Sequence, residues 1–265
     1  MNVGFIGVGN MGGAILRVAV QNGIVKPEEV FVCRRHPEKG IGDLPEGVRL
    51  LSDAKAVAEH CKRIILAVKP QQADIVLKEM KPELSGSFIV SVMAGWNFAR
   101  LIAALPKDAR VLPVMPNTPL SVGEGMTLFS DETNVTLDER DWALRLFTSG
   151  GRVEIVSEAV FNAANAISGC GPAFAYLFVE ALADGAVRGG LQRDSAYRLA
   201  GQMLLGAGKM ILESGKHPGA LKDAVCSPGG STIAGVYALE QGGFRAATMD
   251  AVNAVILRTK EMAKG

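Results

Sequence analysis

The sequence predicts an α/β fold, a Rossmann-type doubly wound sheet followed by an all-helical region. Three observations carry this. The chain starts on a short apolar run that enters closely spaced glycines. From there to residue 157, apolar runs of strand length alternate with amphipathic segments of helix length. From Glu158 onward only helical spacing remains.

The first element is a strand over Val3 to Ile6, which runs into Gly7, Gly9 and Gly12 in the spacing G-x-G-x-x-G. The triplet opens into Ala14, Ile15, Leu16, Val18 and Val20, an amphipathic helix. Strand, tight turn and helix in this order form a dinucleotide cradle. Gly7 permits the turn, Gly9 lets a pyrophosphate approach the backbone, and Gly12 lets helix and strand lie close. Asn10 and Met11 lie between the second and third glycines, at the positive end of the helix where phosphate is attracted.

A second strand follows over Val30 to Cys33. At its end, NAD-selective folds place an acidic residue on the ribose hydroxyls, and this chain has Arg34 and Arg35 instead. Two guanidinium groups favour the extra phosphate of NADPH, with NADH still possible, although a solvated basic turn before Pro37 would read the same. Residues 48 to 51 suit a brief third strand, and Asp53 to His60 a short helix. Arg63 to Val68 is a nearly unbroken apolar run, as a sheet covered on both faces requires. Lys69 and Pro70 then lead into a helix carrying Ala73, Val76, Leu77 and Met80. Phe88 to Val92 is the next strand, Phe98 to Leu105 the next helix, and Val111 to Met115 a further strand. Met126 to Phe129, a helix from Leu137 to Phe147, and Arg152 to Val156 close a domain over residues 1–157.

In such sheets ligands bind outside the carboxyl ends of the strands. The unusual segments fall there: Val68, Lys69 and Pro70 after one strand, Ala94 and Gly95 after another, and Pro116-Asn117-Thr118-Pro119 after a third. Prolines on both sides of Asn117 stiffen its loop, so that its amide either contacts a ligand or sits in a plain turn.

The second domain, residues 158–265, repeats apolar residues at helix spacing, as in Phe174, Leu177, Phe178 and Ala181, and again in Ala196, Leu199, Ala200, Met203 and Leu204. Helices this rich in Ala and Gly leave broad apolar faces in a monomer, so oligomerisation is expected. Ala159 to Val179 has no charged residue, but Gly169-Cys170-Gly171-Pro172 breaks it, which suits protein-buried helices better than a membrane span. In the loop Val225 to Thr232, two glycines precede a helix start, with Ser231 or Thr232 as a natural N-cap. The loop is either a cap alone or a carboxylate site built from backbone N–H groups.

Composition excludes other classes. The net charge of +1 over 265 residues provides no basic field for nucleic acid. Four scattered cysteines and three histidines show no metal-ligand spacing, so no metal is expected. The absence of signal-peptide features points to the cytoplasm.

Taken together, the motifs resemble the pyrroline-5-carboxylate reductase family. They are Gly7-Val8-Gly9-Asn10-Met11-Gly12, Ile65 to Pro70, Val114 to Pro119, Ser168 to Phe174, and Ser227 to Thr232 with the following Leu239 to Arg245. The resemblance implies NADPH- or NADH-dependent reduction of L-1-pyrroline-5-carboxylate to L-proline, and a helical dimerisation domain. Dimers of the family often assemble further, commonly into decamers, and the active site is completed across the dimer interface. It also implies that Thr232 bonds the ring nitrogen, that Gly230, Ser231 and Thr232 hold the carboxylate with Val225 beside them, and that Val68, Lys69 and Asn117 line the cofactor. Cys170 and Phe174 depart from the family's usual Ser and Tyr. A related imine or hydroxyacid reductase, or a non-catalytic NADP-binding regulator, would share the glycine loop. Among the residues, no strong general acid lies near Thr232, and His217 reads as a turn before a helix.

Overall fold

The computed structural model describes residues 1–34 and 44–262, so Arg35 lies outside the described residues. The chain divides into two units, Met1–Pro172 with Ile256–Gly265, and Ala173–Val255.

The first unit is built on eight strands: β1 (Val3–Ile6), β2 (Val30–Cys33), β3 (Arg49–Leu50), β4 (Arg63–Leu66), β5 (Phe88–Ser91), β6 (Arg110–Met115), β7 (Gly125–Ser130) and β8 (Gly151–Val156). They form one sheet in the order β3-β2-β1-β4-β5-β6-β7-β8. Strand order reverses at β1, with β2 on one side and β4 on the other, both parallel to it. This is the switch point where a doubly wound sheet opens its crevice. The helices α1 (Asn10–Gln21), α2 (Ala54–His60), α3 (Pro70–Met80), α4 (Phe98–Ala104) and α5 (Leu137–Thr148) connect the strands.

Alternation along the strands divides the core between two faces. Phe5, Ile65, Val90 and Leu112 pack on one face with Ile15, Leu16 and Phe147. Ile6, Leu66, Ile89 and Val111 pack on the other with Val57, Leu77 and Leu101. Both sets are buried, which is why these strands read as continuous apolar runs; each such side chain contributes about 1.5–3 kcal/mol. Side chains also define several helix starts. Asp53 caps α2 by accepting from Ala56 N at 2.8 Å, and Asn97 caps α4 by accepting from Arg100 N at 3.1 Å. Thr136 and Glu139 form a reciprocal capping box on α5, and both Glu139 oxygens also accept from Arg110 Nε at 2.9 Å.

The far edge departs from simple strand–helix alternation. β7 runs antiparallel to β6 and β8 parallel to β7. Between β6 and β7 there is only a 3-10 turn, Thr118–Val122, ending at Gly123 with φ +79°. A parallel partner would need a full crossover, and this connection is too short to supply one. Beyond β8, α6 (Glu158–Ser168) packs on β7 and β8, so the first unit continues past the last strand. Gly169 and Cys170 separate α6 from α7 (Gly171–Arg188). The stretch Glu158–Arg188, long and apolar enough to cross a membrane by length and composition alone, is therefore broken near its middle.

The second unit holds most of α7, then α8 (Arg193–Ser214), α9 (Pro218–Ala224), α10 (Ser231–Gln241) and the larger part of α11 (Phe244–Met262). Phe178 and Phe244 meet with ring centroids 5.7 Å apart. Within this unit only Ala183, Ala196 and Ala200 are buried among the described residues, while Leu177 is 67% and Tyr237 65% exposed. Bare apolar faces on this scale mark an association surface.

Candidate active site

The cradle at β1 has the geometry its glycines imply. Gly7 sits at φ +89°, and its N–H donates to Cys33 O at 3.1 Å, tying the end of β1 to the end of β2. Gly12 permits no side chain, because a Cβ there would lie 2.0 Å from Gly7 O and 3.1 Å from Ala67 Cβ. Among the described residues, no atom lies within 4 Å of a Cβ at Gly9. Gly9 is thus free of any packing constraint, and the space in front of it is open.

Helix α1 begins at Asn10 with no side-chain cap and no acidic residue in its first turn. The first helical N–H to bond back is that of Gly13, to Gly9 O at 2.9 Å. The N–H groups of Asn10, Met11 and Gly12 therefore have no helix acceptor, at a helix start beside the open space at Gly9. Uncapped donors at the positive end of a helix fit the pyrophosphate of a dinucleotide.

The neighbouring strand ends converge on this cradle. A Cβ on Gly7 would meet Ala67 O at 2.7 Å and Val68 Cγ1 at 3.2 Å, so the end of β4 lies directly against the glycine turn. Lys69 is the exposed N-cap of α3 and Pro70 its first helical residue. Arg34 follows Cys33 at the end of β2. It is half-buried, and its Nε is buried with no hydrogen-bond partner among the described residues. An unsatisfied guanidinium nitrogen beside the cradle suits an adenosine ribose phosphate. Ala94 is exposed just past β5, before Gly95 at φ +75°.

Asn117, after β6, is 8% exposed. Its Oδ1 accepts from Met126 N at 2.9 Å, and its Nδ2 donates to Ser168 O at 2.9 Å. Near it, a cavity of about 370 Å³ opens at the carboxyl ends of β5 and β6, lined in part by Met93, Trp96, Asn97, Met115, Glu158 and Asn162. Burial raises the pKa of Glu158, a hydrogen bond with Asn97 opposes the rise, and the charges of Glu132 and Asp131 add to it. Sequence reasoning passed over this cavity, because no motif marks a pocket assembled from α4, α6 and two strand ends.

The second unit presents the loop between α9 and α10. His217 is the N-cap of α9, its Nδ1 accepting from Gly219 N at 3.0 Å, which engages the imidazole in a local turn. Val225 is exposed. The N-cap of α10 is Gly230, where either Ser231 or Thr232 was expected. The reason is the turn before it: Gly230 N donates to Ser227 O at 3.0 Å, which places an extended Gly230 at the cap position. A Cβ on Gly230 would lie 2.3 Å from Ser227 Oγ, which the serine side chain could relieve by rotating, and 3.1 Å from Ser227 O, so the turn leaves little room for a side chain there. Ser231 and Thr232 become the first two helical residues, both exposed, with N–H groups that have no helix acceptor. No side chain caps this end, so the donors remain open to an anion.

Comparison with known proteins agrees with both halves. Residues 158–262 match the family model described as pyrroline-5-carboxylate reductase dimerisation, and residues 2–95 the model described as NADP oxidoreductase, coenzyme F420-dependent. The chain is 40% identical over 265 residues to the pyrroline-5-carboxylate reductase of Escherichia coli (strain K12), covering 99% of this chain and 98% of that one. It is 41% identical to the Arabidopsis thaliana enzyme of the same name, covering 99% and 95%. Among solved structures it is similar to a Plasmodium falciparum pyrroline carboxylate reductase with NADP bound, with a TM-score of 0.89 and 34% identity over 99% and 98% of the two chains.

Proposed function

Since this chain belongs to the pyrroline-5-carboxylate reductase family, we infer that it reduces L-1-pyrroline-5-carboxylate to L-proline with NADPH, the last step of proline biosynthesis. The observation that carries this reading is a pair of uncapped, glycine-fronted helix starts in one chain, at α1 and at α10. The first suits a pyrophosphate and the second a small carboxylate.

When bound, reduced nicotinamide supplies a hydride to the imine carbon. The protein's own task is to bind and orient. Asn10, Met11 and Gly12 hold the pyrophosphate through their N–H groups, with Gly7 and Gly9 shaping the approach. Arg34 pairs with the ribose phosphate, and Arg35 is proposed beside it. Val68, Lys69, Pro70 and Ala94 line the remainder of the cofactor. In the second unit, the N–H groups of Ser231 and Thr232 hold the substrate carboxylate, with Gly230 and Val225 closing the loop around it. The Thr232 hydroxyl bonds the ring nitrogen as it passes from planar to tetrahedral. A protonated imine needs no covalent partner, and the substrate arrives protonated or takes its proton from water.

The dinucleotide-binding domain spans residues 1–157, and the substrate-binding and dimerisation domain spans 158–265. The bare helical faces of the second unit support a homodimer; assembly of such dimers into a decamer, and a location in the cytoplasm, belong to the same proposal. The test is to mix purified protein with NADPH and pyrroline-5-carboxylate and follow the loss of reduced-nicotinamide absorbance together with proline formation. Turnover of both supports the reading. NADPH binding without turnover would point to a regulator, and turnover only with another imine or a keto acid to a related reductase.

A further inference from the structure

Asn117 occupies a position where asparagine usually caps a helix. It is the N-cap of the Thr118–Val122 turn, yet its side chain makes no cap bond. Its amide instead reaches two other segments: the start of β7, through Met126 N, and the last residue of α6, through Ser168 O, which lies 51 residues away in sequence. Both bonds are 2.9 Å long, and the side chain that makes them is buried.

The bond to Ser168 has a specific effect. The carbonyls of a helix's last turn have no intrahelical partner. Gly169 N and Cys170 N both donate to Asn165 O, one turn back, and Asn117 supplies the donor for Ser168 O. Without it, the end of α6 would have no side-chain tie to the carboxyl end of β6. Pro116 and Pro119 hold the backbone on either side, so the amide enters a stiff frame. The end of α6 is thereby set against the carboxyl end of β6, on the side of the sheet where a doubly wound fold binds its ligands.

We propose that Asn117 is a positioning residue, whose amide locks the end of α6 to the carboxyl end of β6 and the start of β7 and so holds this wall of the sheet's ligand-binding side in place for hydride transfer. This rests on the reductase reading above. A clamp of this kind affects the rate through alignment, since small displacements of reacting groups lower kcat steeply. The family resemblance places Asn117 at the cofactor; with its Oδ1 and Nδ2 both engaged by protein backbone, its amide acts on alignment, while α1, Arg34 and the end of β4 set the affinity for the dinucleotide.

The experiment compares wild type, Asn117→Asp and Asn117→Ala. The readouts are NADPH affinity by protein-fluorescence quenching, and kcat and KM for pyrroline-5-carboxylate from about pH 5 to about pH 8.5, a range that brackets a carboxyl group raised by burial. Aspartate keeps the acceptor for Met126 N and, when ionised, loses the donor for Ser168 O. The expected result at high pH is a fall in kcat of roughly 10- to 100-fold with NADPH Kd within about 3-fold of wild type. Relative to wild type, Asn117→Asp recovers rate as pH falls, because a protonated carboxyl donates to Ser168 O again. Asn117→Ala loses kcat without that recovery, and it serves alone should the aspartate variant not fold. A NADPH Kd weakened 10-fold or more with kcat unchanged would overturn the proposal and make Asn117 a cofactor ligand. Wild-type kcat in both variants would overturn it too. If wild type itself does not turn over pyrroline-5-carboxylate, it is the reductase reading that has failed.

Discussion

Replacing Gly9 by alanine separates cofactor binding from folding. The added methyl meets no atom within 4 Å, and Gly9 sits at φ −75°, ψ −156°, extended backbone that alanine can adopt. Stability should therefore be nearly unchanged, within about 2 °C in Tm. The methyl takes up open space at the start of α1, and a pyrophosphate held on the uncapped N–H groups of Asn10, Met11 and Gly12 would have to share it. Displacing the pyrophosphate removes one or two charge-assisted hydrogen bonds, on the order of 2–4 kcal/mol, or a roughly 30- to 1,000-fold weaker Kd for NADPH. Gly12→Ala is the comparison in which stability falls as well. Its Cβ would lie 2.0 Å from Gly7 O, a fixed methyl against a backbone carbonyl, so about 1–3 kcal/mol of stability is lost and Tm falls by roughly 2–10 °C. Fluorescence titration with NADPH and thermal melting of both variants decide the matter. If Gly9→Ala binds NADPH as wild type does, the cradle is not where the pyrophosphate sits.

Other outcomes follow from the same geometry. Thr232→Ala should lower kcat/KM by about 10- to 100-fold while Tm stays near wild type, because the hydroxyl makes no cap bond; an unchanged rate removes Thr232 from the site. Arg34→Ala should weaken NADPH about 10- to 100-fold and leave NADH little affected, and equal losses for both would contradict a role at the ribose phosphate. For Glu158, burial raises the folded-state pKa. Between its unfolded and folded values the native state binds more protons than the unfolded one, so wild type loses stability as pH rises through that window. Glu158→Gln removes this loss and should gain more Tm over wild type at neutral pH than near pH 4; a pH-independent difference would show that the carboxyl ionises freely.

What was legible in the sequence was local. Val3 to Ile6, the glycine triplet and the start of α1 are contiguous, so pattern, turn and helix reinforce one another in one short stretch. The apolar runs at β4 and β5 were readable because both faces of those strands are covered. Direction at the far edge was not, since an apolar strand looks alike whether it runs parallel or antiparallel, and β7 reverses only because its connection is short. The cap of α10 was misplaced by one or two positions, because the Ser227–Gly230 turn outweighs the capping preference of serine and threonine. Flanking prolines showed that the amide of Asn117 would be held stiffly, but not what it would meet. Ser168 is distant in the chain, and the bond is to a backbone carbonyl, which no residue type advertises. The cavity by Glu158 was hidden for the same reason, its walls coming from strand ends and helices that meet only in the fold.

The most direct test of hydride transfer between a dinucleotide held at α1 and a ring held at α10 is an isotope measurement. NADPH carrying deuterium at the transferring position is incubated with the protein and pyrroline-5-carboxylate, and the proline formed is analysed by mass spectrometry and NMR. One deuterium per molecule, located on the former imine carbon, is the predicted result. Unlabelled proline, or NADPH consumed with no proline formed, would contradict the account.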